Sequence, residues 1–332
     1  MVRPAMAADI WALRRKPQRR VFLYTPFMLA TSYRVYTHFL RSLMGPLGQH
    51  FMTLVLRDGG LRGIVQARRR PHTPEADLLY LTAYKKQRQQ MIGEGDIWFR
   101  LIEDVLRRAG EGRIERVFAA VGTRFEDVAE ILHQLAFQAY GQQRLWMLAE
   151  PAVETGTTLR ALRRQQSRDA HAVHQLYSSL TPRHVQQAEL RRPASWQLDR
   201  RQLHYRERGW VLGDDQTLTV CIQVQTGVRA HVVRLLIAPH LRDEASALLR
   251  YVLSQLPESR PVFVLVHSYQ SELEAALEDT GFSLRGEQTL FVKHLALRVK
   301  QPSLLPSFRR TEPLELTGPL PNLPSTGRIT LR

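Results

Sequence analysis

Two glycines, Gly93 and Gly95, stand just ahead of a helical run that begins at Ile97. A glycine-marked turn at a helix start leaves the first N–H groups unpaired and lets the backbone approach a ligand closely. With the positive end of the helix dipole, that suits an anion such as phosphate. The same glycines also serve as a plain flexible turn between a strand and a helix. His171 and His174 lie three apart on a helical run with Asp169 near, but no third metal ligand is evident, and a surface histidine pair accounts for them. His231, His240, His267 and His294 are scattered at strand ends. Cys221, alternating with Ile222 in a strand, reads as a small buried hydrophobe. No serine sits in a Gly-x-Ser-x-Gly elbow and no Gly-rich Lys-Ser/Thr phosphate loop occurs, so serine-hydrolase and P-loop chemistry have no support.

These groups must be positioned by a soluble α/β scaffold. With 332 residues, 44% hydrophobic and 23% charged, the chain is long enough for two domains, each with its own core. A single cysteine excludes an internal disulfide framework and any Cys-rich zinc site. The early apolar stretch Val21–Ala30 contains Tyr24, Thr25 and Pro26 and falls well short of the ~18 residues a spanning helix needs. No secretory cleavage pattern follows it, so a cytoplasmic protein with no membrane partner is expected. The net charge of +16 keeps nucleic acid open as a polyanionic partner. Of the 47 basic residues, however, only Lys16, Lys85, Lys86, Lys293 and Lys300 are lysines. The arginine excess is what a GC-rich coding sequence produces without selection for binding.

The chain repeats itself. Val117–Val121, a helix over Phe125–Leu135, Ala136-Phe137 and a strand at Gln143–Leu148 match Val262–Val266, a helix through Leu273, Ala276 and Leu277, Gly281-Phe282 and a strand at Thr289–Val292. Upstream, the strand pair Thr53–Leu56 and Gly63–Ala67, a strand at Leu78–Leu81 and a helix at Ile97–Arg108 correspond to Trp210–Leu212, Leu218–Gln225, Val232–Ile237 and Glu244–Leu256. The stretches before each hairpin, Asp9–Met44 and Arg168–Tyr205, read as mostly helical. The polar segment 150–157 joins the halves, and residues 299–332, rich in Pro, Ser and Thr, read as a disordered tail. The fold class is therefore α/β (α+β): an N-terminal domain over 1–149 and a C-terminal one over 158–298. Each is a mixed, mostly antiparallel sheet flanked by helices.

This unit, with its late helix ending in Gly281-Phe282 and Ala136-Phe137 before a closing strand, resembles the GNAT N-acetyltransferase superfamily in tandem duplication. The resemblance implies an acyl-CoA-dependent transfer to an amine: the acceptor attacks the acetyl-CoA thioester directly and a strand N–H steadies the oxyanion. Family members hold acetyl-CoA between two splayed central strands, its pyrophosphate on a Q/R-x-x-G-x-G/A turn. Gln90-Met91-Ile92-Gly93-Glu94-Gly95 fits that pattern, with Asp96 next to it and also suited to capping the helix. Cofactor binding is thus expected in the N-terminal domain. The matching loop of the second half, from Ala238 to Ala245, has no glycine and carries Asp243-Glu244, whose charge would oppose a pyrophosphate, so the second copy reads as degenerate as a CoA site.

The family's acid, a late-helix tyrosine, falls on Leu132 and Leu277 here. Glu75 as base and Tyr140 as acid are the substitutes nearest that geometry, with Tyr84 and Tyr269 behind them. Each also has an ordinary structural reading, as a solvated carboxylate or a packing aromatic. A catalytically inactive GNAT-like pair, kept for binding or as a scaffold, is the alternative. The acceptor is a small-molecule or peptide amine, and the two domains are expected to pack as an intramolecular pseudo-dimer.

Overall fold

The apolar alternation around Val55 and Val65 folds as an antiparallel hairpin, β3 (Phe51–Arg57) and β4 (Leu61–Arg69), and the rest of the first half follows in the expected order. It continues through β5 (Glu75–Ala83), α3 (Glu94–Glu111), β6 (Arg116–Gly122), α4 (Glu126–Gln134) and β7 (Gln138–Leu148). The second half repeats this as β9 (Tyr205–Gly213), β10 (Leu218–Gly227), β11 (His231–Ile237), α7 (Ala245–Ser254), β12 (Val262–His267), α8 (Glu274–Asp279) and β13 (Ser283–His294). The computed structural model describes residues 1–14, 16–31, 33–44, 50–84, 93–151, 162–198, 205–214, 216–256 and 260–295. The expected tail over 299–332 and most of the joining segment 150–157 lie outside them. Among the described residues no helix is long and apolar enough to cross a membrane.

Ahead of the second hairpin lie β8 (Arg163–Arg164), α5 (Ala170–Leu180) and α6 (Arg183–Glu189), helical as expected. The stretch ahead of the first is different. It holds β1 (Val2–Pro4), a 3-10 helix (Ala7–Arg14), β2 (Arg19–Phe22), α1 (Pro26–Ala30) and α2 (Val35–Leu43), so Asp9–Met44 is mostly helical but is interrupted by a strand at Arg19–Phe22. Pro17 and Pro26 bracket that strand and deny a helix through it.

The strands form one sheet in the order β1-β3-β4-β5-β6-β13-β7-β12-β11-β10-β9-β8, with β2 added to β5. The last strand of each half is exchanged: β13 pairs with β6, β7 pairs with β12, and the two pair with each other at the centre. The ladder thus runs through both halves without a break. Two cores lie on one face of it. Trp98, Leu101, Ile102 and Val105, at helical spacing on α3, fill the first; Leu248, Leu249 and Val252 on α7 fill the second. Each such side chain contributes about 1.5–3 kcal/mol by leaving water.

Small details repeat as well. Arg3 grips Asp9 with a two-pronged bond (2.8 and 2.9 Å), and Arg163 grips Asp169 the same way (2.8 and 2.8 Å). The late helices end alike: Phe137 N–H donates to Leu132 O and Phe282 N–H to Leu277 O, both at 2.9 Å. The turn residue is left-handed in both, Ala136 at φ +57° and Gly281 at φ +83°.

Candidate functional site

Each half has one parallel strand pair, and both pairs open after three residues. β5 and β6 are in register only over Glu75–Asp77 with Arg116–Phe118, and β11 and β12 only over His231–Val233 with Val262–Val264. Beyond those points the strands diverge and each half has a splay. The two splays are treated in opposite ways.

In the first half, β2 takes the free edge of β5, pairing Arg19–Phe22 with Ala83–Tyr80. Flanking bonds extend the ladder at both ends, Gln18 N–H to Ala83 O at 2.9 Å and Leu23 N–H to Leu79 O at 3.0 Å. Val21 and Leu23 are fully buried in the core beneath. Arg19 lies over the rings of Trp98 and Phe125, binds Asp127 at 2.6 and 2.9 Å, and comes within 3.7 Å of Glu94. Its guanidinium therefore sits across the starts of α3 and α4. On the opposite face Phe22, Phe27, Tyr33, His38, Phe51 and Tyr80 pack ring against ring, with Tyr33 and His38 stacked at 4.4 Å. Gly93 is the N-cap of α3, and Glu94, Gly95 and Asp96 form its first turn, so Asp96 stands inside the helix and is not its cap. Gln90, Met91 and Ile92 lie outside the described residues.

In the second half no strand among the described residues enters the splay. The Leu235 carbonyl on the free edge of β11 accepts a bond from Gln270 Nε2 at 2.9 Å. The loop at its end is a short 3-10 helix, Pro239–Glu244, running directly into α7. Asp243 and Glu244 are exposed there, and Arg242 pairs with Glu272.

Beside this splay, on the face that carries α5 and α6, charged and aromatic groups cluster. Arg234 from β11, His267 at the end of β12, Tyr269, Glu189 from α6 and Arg191 are partly exposed, and Tyr177 from α5 and Trp196 are buried beside them. Glu189 accepts bonds from Arg191 (2.5 and 3.2 Å) and from Tyr177 Oη at 2.9 Å. Burial opposes its ionisation, but the Arg191 charge and hydrogen bond win and hold it at about 2. Burial lowers the His267 imidazole to about 4 against the pull of Glu189, so the ring is neutral at pH 7. Burial, with Glu189 nearby, pushes the Tyr269 phenol up to about 12. The His267 and Tyr269 rings stack at 5.0 Å.

The sequence matches no family model and no curated protein. Among solved structures the chain is similar to a GCN5-related N-acetyltransferase from Sphaerobacter thermophilus, with 12% identity, TM-score 0.49 and coverage of 89% of this chain and 95% of that one. It is also similar to a tandem GNAT protein from the clavulanic acid biosynthesis pathway (16% identity, TM-score 0.47, coverage 89% and 98%). A third is a GCN5-related N-acetyltransferase from Anabaena variabilis (14% identity, TM-score 0.40, coverage 89% and 72%). What decides the fold is the duplicated sheet itself: a hairpin, a third antiparallel strand, a parallel fourth that splays from it, and a helix crossing between them. The arrangement is GNAT-like, and the chain has it twice.

Within these GNAT-like halves the residues singled out from sequence fall in different places. Glu75 has both oxygens engaged, by Arg70 at 2.7 Å and Arg116 at 2.7 Å. Tyr140 packs edge-on to Phe118, and burial raises its phenol, so it stays protonated. Tyr84 is buried among apolar groups near α2. His174 accepts the Trp196 indole N–H at 3.3 Å, and His171 meets Gln175 at 3.3 Å; neither joins a metal-binding group among the described residues. Cys221 is a free, buried thiol that burial pushes up to about 12. Sequence reasoning missed Tyr177, Glu189, Arg191, Trp196 and Arg234. Only Arg234 left a trace, as a lone charge inside the apolar strand His231–Ile237.

Proposed function

We propose that this chain is an acyl-CoA-dependent N-acyltransferase working through its C-terminal half, with the N-terminal half as a filled structural partner. The observation that carries this reading is the contrast between the splays. Where GNAT-like proteins hold the acyl arm between parting strands, the first half has its own β2, whereas among the described residues no strand takes the edge of β11, and Gln270 bonds its Leu235 carbonyl. The glycine turn at Gly93–Gly95 made the N-terminal half the expected holder of acetyl-CoA; the edge of β5 behind that turn is already hydrogen-bonded.

The residues of the second half fit the arm of the cofactor better than its phosphates. An edge carbonyl that borrows a glutamine side chain, as Leu235 does from Gln270, marks backbone able to bond an extended ligand. The phosphate end is less suited: the 3-10 helix running into α7 already engages Ala245 N–H at Arg242 O, and Asp243 and Glu244 add negative charge there. Bound acyl-CoA would supply an activated thioester carbonyl. In the cluster beside it the neutral His267 imidazole is the group able to take a proton from an amine. The Tyr269 phenol, kept protonated by burial, is able to give one.

Calorimetric titration of acetyl-CoA into the intact chain and into a Gly93→Glu, Gly95→Glu variant tests this. A Cβ at Gly93 meets no atom within 4 Å and one at Gly95 only Ile131 at 3.9 Å, so the variant is sterically tolerated. Equal binding by both proteins is the expected result. Binding lost in the variant returns the cofactor to the N-terminal half, and no binding by either leaves a GNAT-like binding or scaffold protein.

A further inference from the structure

Resting on that reading, we propose that the acceptor amine carries an anionic group, a carboxylate or a phosphate, held by Arg234 together with Arg191 against the face of Trp196. The ion pairs around this cluster leave one cation out. Arg70 is bound by Asp77 and Glu75, Arg116 by Glu75, and Arg191 by Glu189. Arg234 has no ion-pair partner among the described residues. Glu189 and Glu207 attract it only from a distance; Glu189 is engaged by Arg191 and Glu207 accepts from Gln225 at 2.9 Å.

The Arg234 guanidinium is placed, not loose. It lies 5.7 Å from the centroid of the Trp196 ring, and Arg191 lies 5.2 Å from the same ring. Trp196 is itself pinned, its carbonyl accepting from Gln165 Nε2 at 2.8 Å and its indole N–H bound to His174. Burial, with Arg191 beside it, pushes the Arg234 guanidinium down to about 10. Holding an uncompensated cation next to another cation in a half-buried cluster is unfavourable for the free protein. An anion binding there relieves that, and a planar guanidinium fork suits carboxylate or phosphate oxygens. His267 and Tyr269 belong to the same cluster, so an amine tethered to the anion would lie toward the splay.

The test is calorimetric titration of β-alanine, phosphoethanolamine and ethanolamine, at one fixed ionic strength, into the intact chain and into Arg234→Met and Arg234→Lys. The expected result is at least tenfold tighter binding of one anionic amine than of ethanolamine. Arg234→Met abolishes that preference and Arg234→Lys retains part of it, and whichever anionic amine is favoured names the group. Arg234→Met also leaves the ligand-free melting temperature unchanged or raised, which a merely structural arginine would not do. Equal binding of all three amines, or an anion preference that survives in Arg234→Met, overturns the proposal. An Arg234-dependent anion preference in a chain that fails to bind acetyl-CoA keeps the anion site and removes the transferase reading. Acetyl-CoA binding with no anion preference removes this inference alone.

Discussion

The two splays are built alike and are filled differently. In the first, β2 completes the hydrogen bonds of β5, Val21 and Leu23 enter the core, and six aromatic rings close the opposite face. In the second, the Gln270 side chain reaches the corresponding edge, and the opposite face holds ionised and hydrogen-bonding groups that are partly exposed. The lesson is that an unpaired strand edge has a cost, and a duplicated fold can meet it with its own chain or leave it for a ligand. Exchange of β7 and β13 ties the two halves together, so the filled half also braces the other.

If β2 is an integral wedge, its removal is felt strongly in stability and hardly at all in binding. Leu23→Ala, at a fully buried site, is expected to destabilise the chain by about 2–5 kcal/mol in urea unfolding while acetyl-CoA affinity stays as it was. A tighter affinity in that variant would mean that β2 competes with the ligand, and that the first half is a suppressed site instead of a filled one.

A smaller effect compares the halves at the end of the late helix. Ala136 and Gly281 share a left-handed backbone, but only the second is a glycine. Ala136→Gly is expected to stabilise, and Gly281→Ala to destabilise, by roughly 1 kcal/mol each, because a Cβ at Gly281 meets only Leu148 at an ordinary 3.6 Å and the penalty is conformational. Thermal unfolding of the two variants measures this. Changes of the same sign would show that the two turns are not equivalent.

Much of this fold was legible in the sequence, and for a local reason. Strands such as Val262–His267 and helices such as Glu94–Glu111 carry their own periodicity, and the paired Ala136-Phe137 and Gly281-Phe282 turns marked the duplication. β2 was not legible. Arg19-Arg20-Val21-Phe22 has no period and becomes a strand only because β5 offers an edge to it. Strand exchange was equally hidden, since β7 and β13 read as closing strands whichever half they close. The cluster was hidden for a third reason: Tyr177, Glu189, Arg191, Trp196, Arg234 and His267 come from separate elements, and none belongs to a spaced motif. The glycine turn at Gly93–Gly95 marks the start of α3, and a local pattern of that kind carries no trace of the β2 strand paired behind it.

Hydrogen–deuterium exchange on the full chain, with and without acetyl-CoA, tests the division of labour most directly. Slower exchange along Arg234–Ile237 and into the start of α7 is expected on adding the cofactor, with Leu79–Ala83 and Gly93–Ile97 unchanged. Protection that appears instead at Gly93–Ile97 and along β5, with β11 unaffected, would contradict the assignment of the working site to the C-terminal half.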